Sequence, residues 1–245
     1  MLKIVVPMSG EGRQFAENGY LFPKPLIEIA GRSMIEIVLR NIAPREPHEF
    51  IFVCRKEHID RFALREVLQQ LSPGCRIVSL AQPTAGALCS VLLAADQLGT
   101  GDGELLVANA DQYVDASIDS FLAAARAHDA DGSMMVFPST HPKWSYARVE
   151  EGEVVEVAEK RPISPNATAG LYYFRSTREF LQSAEQVILK NAALSGQFYV
   201  CPVYNQYVLL GRRVTVYPMA REQMHSLGTP DDVRTFSATR AFALT

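Results

Sequence analysis

Two stretches of this chain carry residue types suited to gripping phosphate. In the first, the apolar run Ile4-Val5-Val6 is followed by Gly10 and Gly12, with Arg13 directly after them. Glycine tolerates positive φ and lets an anion approach bare backbone N–H groups, which turns a strand-to-loop connection into an anion cradle. Arg13 adds a planar cationic fork. In the second stretch, Lys24 stands between Pro23 and Pro25. A proline on each side stiffens the chain and keeps its neighbours extended, so the amine is aimed. Together these groups could neutralise a polyphosphate. The glycine pair alone is equally what an ordinary strand-to-loop turn contains. It has neither the spacing of a dinucleotide fingerprint nor the Gly-Lys-Ser/Thr ending of a Walker loop.

Asp111 belongs to the same chemistry. It closes Asn109-Ala110-Asp111, at the exit of the apolar run Leu105-Leu106-Val107-Ala108. A carboxylate there is placed to ligate Mg²⁺, which takes one or two carboxylates and completes its shell with substrate phosphates. The other reading is an exposed turn aspartate, a role that Asp115 and Asp119 already fill nearby.

These groups need elements to hold them. The run at 4–6 reads as a buried strand, and further strands are expected at 50–54, 76–81, 104–108 and 133–137. Between them, amphipathic helices are expected from Ser33 to about Ile42, from Glu57 to Leu71, from the 82–87 loop to Leu98, and over 117–129. Ser33-Met34-Ile35-Glu36 has the spacing of a capping box. This β–α alternation predicts a mainly parallel sheet with helices on both faces, whose ligands bind beyond the carboxyl ends of the strands. After residue 138 the pattern changes to antiparallel strands at 146–150, 154–159 and 167–174, the first two joined by a turn at Glu151-Gly152. A capped helix from Ser176, a strand at 214–217 and a last helix opening at Thr229-Pro230-Asp231-Asp232 complete the chain. In that last helix the two acids suit the positive dipole end. The segment Phe198–Asn205 puts Tyr199, Tyr204 and Asn205 in an apolar context, and reads equally as packing or as an acceptor site.

Three motifs carry a family resemblance. Gly10-Glu11-Gly12-Arg13, Phe22-Pro23-Lys24-Pro25-Leu26-Ile27 and Gly31-Arg32-Ser33-Met34-Ile35 resemble the N-terminal signature of the sugar-phosphate nucleotidyltransferases. The resemblance implies a Rossmann-like three-layer α/β/α fold of GT-A-like type, with a mixed, mainly parallel central sheet and a small antiparallel β excursion. It implies a Mg²⁺-dependent enzyme that joins a nucleoside triphosphate to a phosphorylated small-molecule acceptor and releases pyrophosphate. Gly10, Gly12 and Arg13 would hold the triphosphate, Lys24 would contact phosphate near the reacting centre, and Asp111 would carry the ion. Gln82 and Gly86 would read the nucleobase, the amide along its edge and the glycine beneath its ring. Glu159 would take sugar hydroxyls, Lys160 the sugar-linked phosphate, and Gly170 would lie beneath the sugar. Two departures are visible. Aligned on Phe15, the family's arginine falls at Gln14, so Arg13 is one place early. Many relatives carry a second metal-binding aspartate where this chain has Ser226.

The whole chain bounds the reading. Its 245 residues suffice for one large α/β domain, with residues 1–138 expected as the nucleotide half and 139–245 as the acceptor half. A formal net charge of −3 argues against a nucleic-acid-binding protein. No apolar run approaches the roughly 20 residues of a membrane span. The first strand starts almost at once, so no secretory signal is expected, and the four scattered cysteines read as free thiols of a cytoplasmic protein. Nothing implies an assembly state. A glycosyltransferase of related architecture using a nucleotide-sugar donor, and a nucleotide-binding protein with impaired catalysis, stay open as alternatives.

Overall fold

Ile4, Val5 and Val6 have no exposed surface, because the strand containing them is flanked on both edges and covered on both faces. A strand buried this way reads as a continuous apolar run rather than an alternating one. In the computed structural model, which describes residues 1–99 and 101–240, it is the centre of the sheet.

In chain order the strands are β1 (Leu2–Met8), β2 (Glu28–Ile29), β3 (Arg32–Ser33), β4 (His48–Arg55), β5 (Arg76–Leu80), β6 (Leu105–Ala108), β7 (Gln112–Val114), β8 (Gly132–Pro138), β9 (Ser145–Glu150), β10 (Glu153–Glu159), β11 (Asn166–Phe174), β12 (Val214–Pro218) and β13 (Met224–Ser226). The helices are α1 (Arg13–Glu17), α2 (Met34–Ile42), α3 (Lys56–Phe62), α4 (Leu64–Leu71), α5 (Ala87–Leu92), α6 (Ala95–Leu98), α7 (Ile118–Ala127), α8 (Thr177–Leu189), α9 (Val203–Leu209) and α10 (Pro230–Arg240), with a 3₁₀ turn at Lys24–Leu26.

The strands β5, β4, β1 and β6 run parallel; β11 pairs antiparallel with β6, and β8 and β12 continue beyond it in the original direction. This is the expected mixed, mainly parallel α/β sheet. The antiparallel excursion also forms: β9 and β10 pair across the turn at Glu151 and Gly152, and β9 joins the edge of β11. Two apolar clusters cover the two faces of the sheet, one gathering α2, α7 and Phe15, the other gathering α5, α8 and α9. Parallel strands leave their carboxyl ends on one side, and there the loops after β1, β5 and β6 converge.

Several local expectations are corrected. The single helix expected over 57–71 is two helices, α3 and α4, because Ala63 takes a left-handed backbone with φ 50°. The helix ending at Leu98 is likewise broken, between α5 and α6. Only half of the capping box forms. Ser33 Oγ accepts from the Glu36 N–H at 3.3 Å, while the Glu36 carboxylate pairs with Arg40 at 2.9 Å. The 203–209 stretch is a helix whose Tyr204 and Tyr207 are core residues. The single proton of the Tyr204 hydroxyl is shared between the carbonyls of Ser133 and Tyr173, at 2.8 and 2.9 Å. The short pair β7–β13 was not expected either; it sets Ser226 opposite Gln112.

Candidate functional site

The loop after β1 turns at Gly12, whose φ of 62° is the left-handed conformation that favours glycine. Phe15 N–H donates back to the Gly12 carbonyl at 2.9 Å, opening α1. A Cβ on Gly12 would sit 3.4 Å from Lys24 Cβ, so the glycine loop and the Pro-Lys-Pro segment are in contact. Pro23 is extended, with ψ 151°, and the 3₁₀ turn after it is closed by Leu26 N–H to the Pro23 carbonyl at 2.8 Å. The lysine is thus braced from both sides. Its Nζ lies 2.5 Å from Asp111 Oδ2 and 5.7 Å from the centre of the Phe15 ring. Asp111 is fixed in turn by its backbone carbonyl, which accepts from Leu227 N–H at 2.8 Å.

Gly10, Gly12, Arg13, Lys24, Gly86 and Asp111 all line one cleft of about 850 Å³. Gln14 lines it as well, so both positions considered for the arginine face the same space. Arg13 is largely exposed and pairs with Glu11, whose carboxyl it holds below its ordinary value by that hydrogen bond and by its charge. Gln82 is exposed and is not among the residues lining the cleft; the loop contributes Pro83 and Thr84 instead. Gly86 has φ 110°, and the space its side chain would fill is taken by the backbone of Phe198, 2.4 Å from an ideal Cβ. That face of the glycine therefore receives Phe198 rather than a ring. Spacing alone did not reveal a chain of hydroxyls: Ser9 Oγ lies 2.8 Å from Ser90 Oγ, which lies 2.7 Å from Thr84 Oγ1. It ties the loops after β1 and β5 together.

A second cavity of about 290 Å³ adjoins the first. Glu159, Lys160 and Gly170 line it, and Asp111, Asn109 and Tyr199 line both. Both cavities therefore draw on residues before and after 138. Burial pushes the Glu159 carboxyl up, against the opposing pull of a hydrogen bond from Ser145 and the charge of Lys160. Lys160 has φ 53°, donates its N–H to the Trp144 carbonyl at 3.0 Å, and puts Nζ 2.7 Å from the Tyr199 hydroxyl. Gly170, at φ 72°, has to be glycine: an added Cβ would lie 2.2 Å from Gln112 Oε1 and 2.3 Å from Asn109 Nδ2.

Ser226 stands at the same border. Its hydroxyl donates to Asp232 Oδ2 at 2.9 Å, and an ideal Cβ on Gly228 would be 3.6 Å from Asp111 Oδ2 and 3.7 Å from Asp232 Oδ2. Thr229 caps α10, its Oγ1 accepting from Asp232 N–H at 3.1 Å while Asp232 Oδ2 accepts from Thr229 N–H at 3.1 Å, and Asp232 also lines the second cavity. Among the described residues no three His, Cys, Asp or Glu side chains gather as a metal cage. One partly exposed carboxylate, that of Asp111, beside this cleft is nevertheless the donor set that Mg²⁺ uses when phosphates complete its shell.

Comparison with known proteins finds relatives of the chain. The profile of the nucleotidyl transferase family matches residues 4–195. The bifunctional protein GlmU of Synechococcus sp. (strain RCC307) is 29% identical over 190 residues, covering 72% of this chain and 40% of that protein. The chain thus spans less than half the length of that relative. The crystal structure of a nucleoside-diphosphate-sugar pyrophosphorylase from Vibrio cholerae RC9 superposes with a TM-score of 0.86 at 27% identity, over 96% of this chain and all of that one. The inositol-1-phosphate CTP transferase from T. maritima shares the fold, with a TM-score of 0.73 at 17% identity over 94% of this chain and 90% of that one.

Proposed function

The chain belongs to the nucleotidyl transferase family, and from that membership we propose that it transfers a nucleotidyl group from a nucleoside triphosphate to a phosphorylated small-molecule acceptor, a sugar phosphate or a similar phosphomonoester. The observation that carries this reading is the Lys24–Asp111 contact of 2.5 Å at the border between a cleft lined by Gly10, Gly12 and Arg13 and a second, smaller cavity. The larger cleft takes the triphosphate. The smaller one takes the acceptor, with Glu159 and Lys160 on its wall. Residues 1–138 supply most of the first and residues 139–245 most of the second, within one catalytic unit.

In the reaction, an acceptor phosphate oxygen forms a bond to the α-phosphorus while the bond from that phosphorus to the β-phosphate bridging oxygen breaks. Pyrophosphate leaves with that electron pair. The attacking oxygen is already ionised, so no general base is required, and catalysis consists of positioning and charge neutralisation. Lys24 stabilises charge on the transferring phosphoryl group. Arg13 and the Gly10–Gly12 backbone hold the leaving phosphates, and Lys160 holds the acceptor phosphate. Asp111 would hold Mg²⁺ together with phosphate oxygens. That ion neutralises and aligns the phosphates when bound. On the nucleotide side the loop after β5 lines the cleft with Pro83, Thr84 and Gly86, and the Gln82 amide stays outside it.

Incubation with CTP, UTP, dTTP or ATP and a panel of sugar and polyol monophosphates, reading pyrophosphate release, tests the reaction. Pyrophosphate formed only with triphosphate and acceptor together supports it. Release of free nucleoside diphosphate from a nucleotide sugar would instead favour a glycosyl transfer.

A further inference from the structure

Lys160 is held at both ends. Its backbone is left-handed, which side-chain-bearing residues rarely adopt, and its N–H is tied to the Trp144 carbonyl at 3.0 Å. At the other end its ammonium donates to the Tyr199 hydroxyl at 2.7 Å and lies 4.9 Å from the centre of the same ring. Tyr199 is separated from it by 39 residues and comes from a different loop.

That loop is itself clamped. Phe198, next to Tyr199, donates its N–H to the Ala85 carbonyl at 2.7 Å and accepts from Leu88 N–H at 3.1 Å. Its backbone packs into the space left open by Gly86. The phenol is therefore fixed to the start of α5, on the wall of the nucleotide cleft, while its hydroxyl meets a lysine of the acceptor cavity. Tyr199 lines both cavities, as Asp111 does.

We propose that Tyr199 is a positioning residue for the reaction: it holds the Lys160 ammonium at the junction of the two cavities, where the acceptor's phosphate must meet the α-phosphorus. The inference rests on the transfer reading given above. An ammonium has three donors, of which the phenol oxygen takes one and leaves two for a phosphate. A free lysine would surrender the rotamer freedom of a long side chain on binding its anion; a tethered one has surrendered it beforehand. The chemical class selected is a phosphate monoester dianion, whose charge repays the ordering of the ammonium.

The test is steady-state kinetics of the full chain as wild type, Tyr199→Phe, Lys160→Met and the double variant, with whichever triphosphate and acceptor pair of the panel the wild type turns over. Phenylalanine keeps the ring under the ammonium and removes only the hydroxyl. Tyr199→Phe is expected to raise the acceptor KM roughly tenfold, the worth of one charge-assisted hydrogen bond. The triphosphate KM stays within roughly twofold, as it must if the residue acts on one substrate only. In the Lys160→Met background the same change adds nothing. An acceptor KM that does not move, equal shifts in both KM values, or additive effects in the double variant would overturn the positioning role while leaving the transfer reading standing. A wild type that releases no pyrophosphate with any pair would overturn the transfer reading, and this proposal with it.

Discussion

The backbone of Phe198 occupies the place where residue 86 would carry a side chain: its carbonyl oxygen is 2.4 Å, and its nitrogen 2.6 Å, from an ideal Cβ on Gly86. Two loops more than a hundred residues apart in sequence thereby form one wall of the site. Gly86→Ala must push that backbone away and hold an alanine at φ 110°. The cost expected is about 1–3 kcal/mol, read as a fall in the urea midpoint of unfolding at constant m-value. An unchanged midpoint would show that the loops do not pack this way in solution.

Glu159 ties the second cavity to pH. Its carboxyl is pushed up by burial, so the folded state binds a proton that the unfolded state releases earlier. The stability it contributes is complete below the ordinary value of 4.5 and is lost as pH rises through the higher folded value. Glu159→Gln removes that dependence. The difference in unfolding free energy between variant and wild type should therefore shift in favour of the glutamine as pH rises above 4.5. A difference independent of pH, or one of opposite sign, contradicts the assignment.

Ser226 donates a hydrogen bond to Asp232, and Ser226 Oγ, Asp111 Oδ2 and Asp232 Oδ2 lie 3.3, 3.6 and 3.7 Å from one ideal Cβ on Gly228. Ser226→Asp replaces the donor with a third carboxylate in this corner. Like charges repel, so the melting temperature should fall in chelator and recover with millimolar Mg²⁺. The wild type, with its serine, should respond less to the same additions. Equal melting temperatures of the variant in chelator and in Mg²⁺ would mean that no cation is held between these groups.

The chemistry-bearing loops were readable in advance because their signals are local. A continuous apolar run marks β1, two prolines mark the bracing of Lys24, and Asp111 follows the all-buried run of β6. Positions that depend on distant contacts were not readable. Ala63 splits a helix through its backbone angle, and the alanine itself gives no sign of it. β7 and β13 are three residues each and pair only with one another, and His225 in the middle of β13 reaches Asp115, just past β7, at 3.2 Å. Tyr204 and Tyr207 follow the apolar, proline-containing run 198–203, which hides the helical period of α9. Gln82 illustrates the reverse: its place in the loop is as expected, yet it faces outward, beyond the cleft. The meeting of Lys160 with Tyr199 has no local trace at all.

In the proposed reaction Lys24, 2.5 Å from Asp111, neutralises charge on the transferring phosphoryl group. Its side chain is 22% exposed and that of Asp111 is 34% exposed, so breaking the pair leaves a carboxylate that water can reach and costs little stability. The direct measurement is the single-turnover rate of pyrophosphate release by Lys24→Met beside the wild type, at saturating triphosphate and acceptor. The rate is expected to fall ~10²–10³-fold with the melting temperature unchanged. A variant that folds and releases pyrophosphate at close to the wild-type rate would contradict the account.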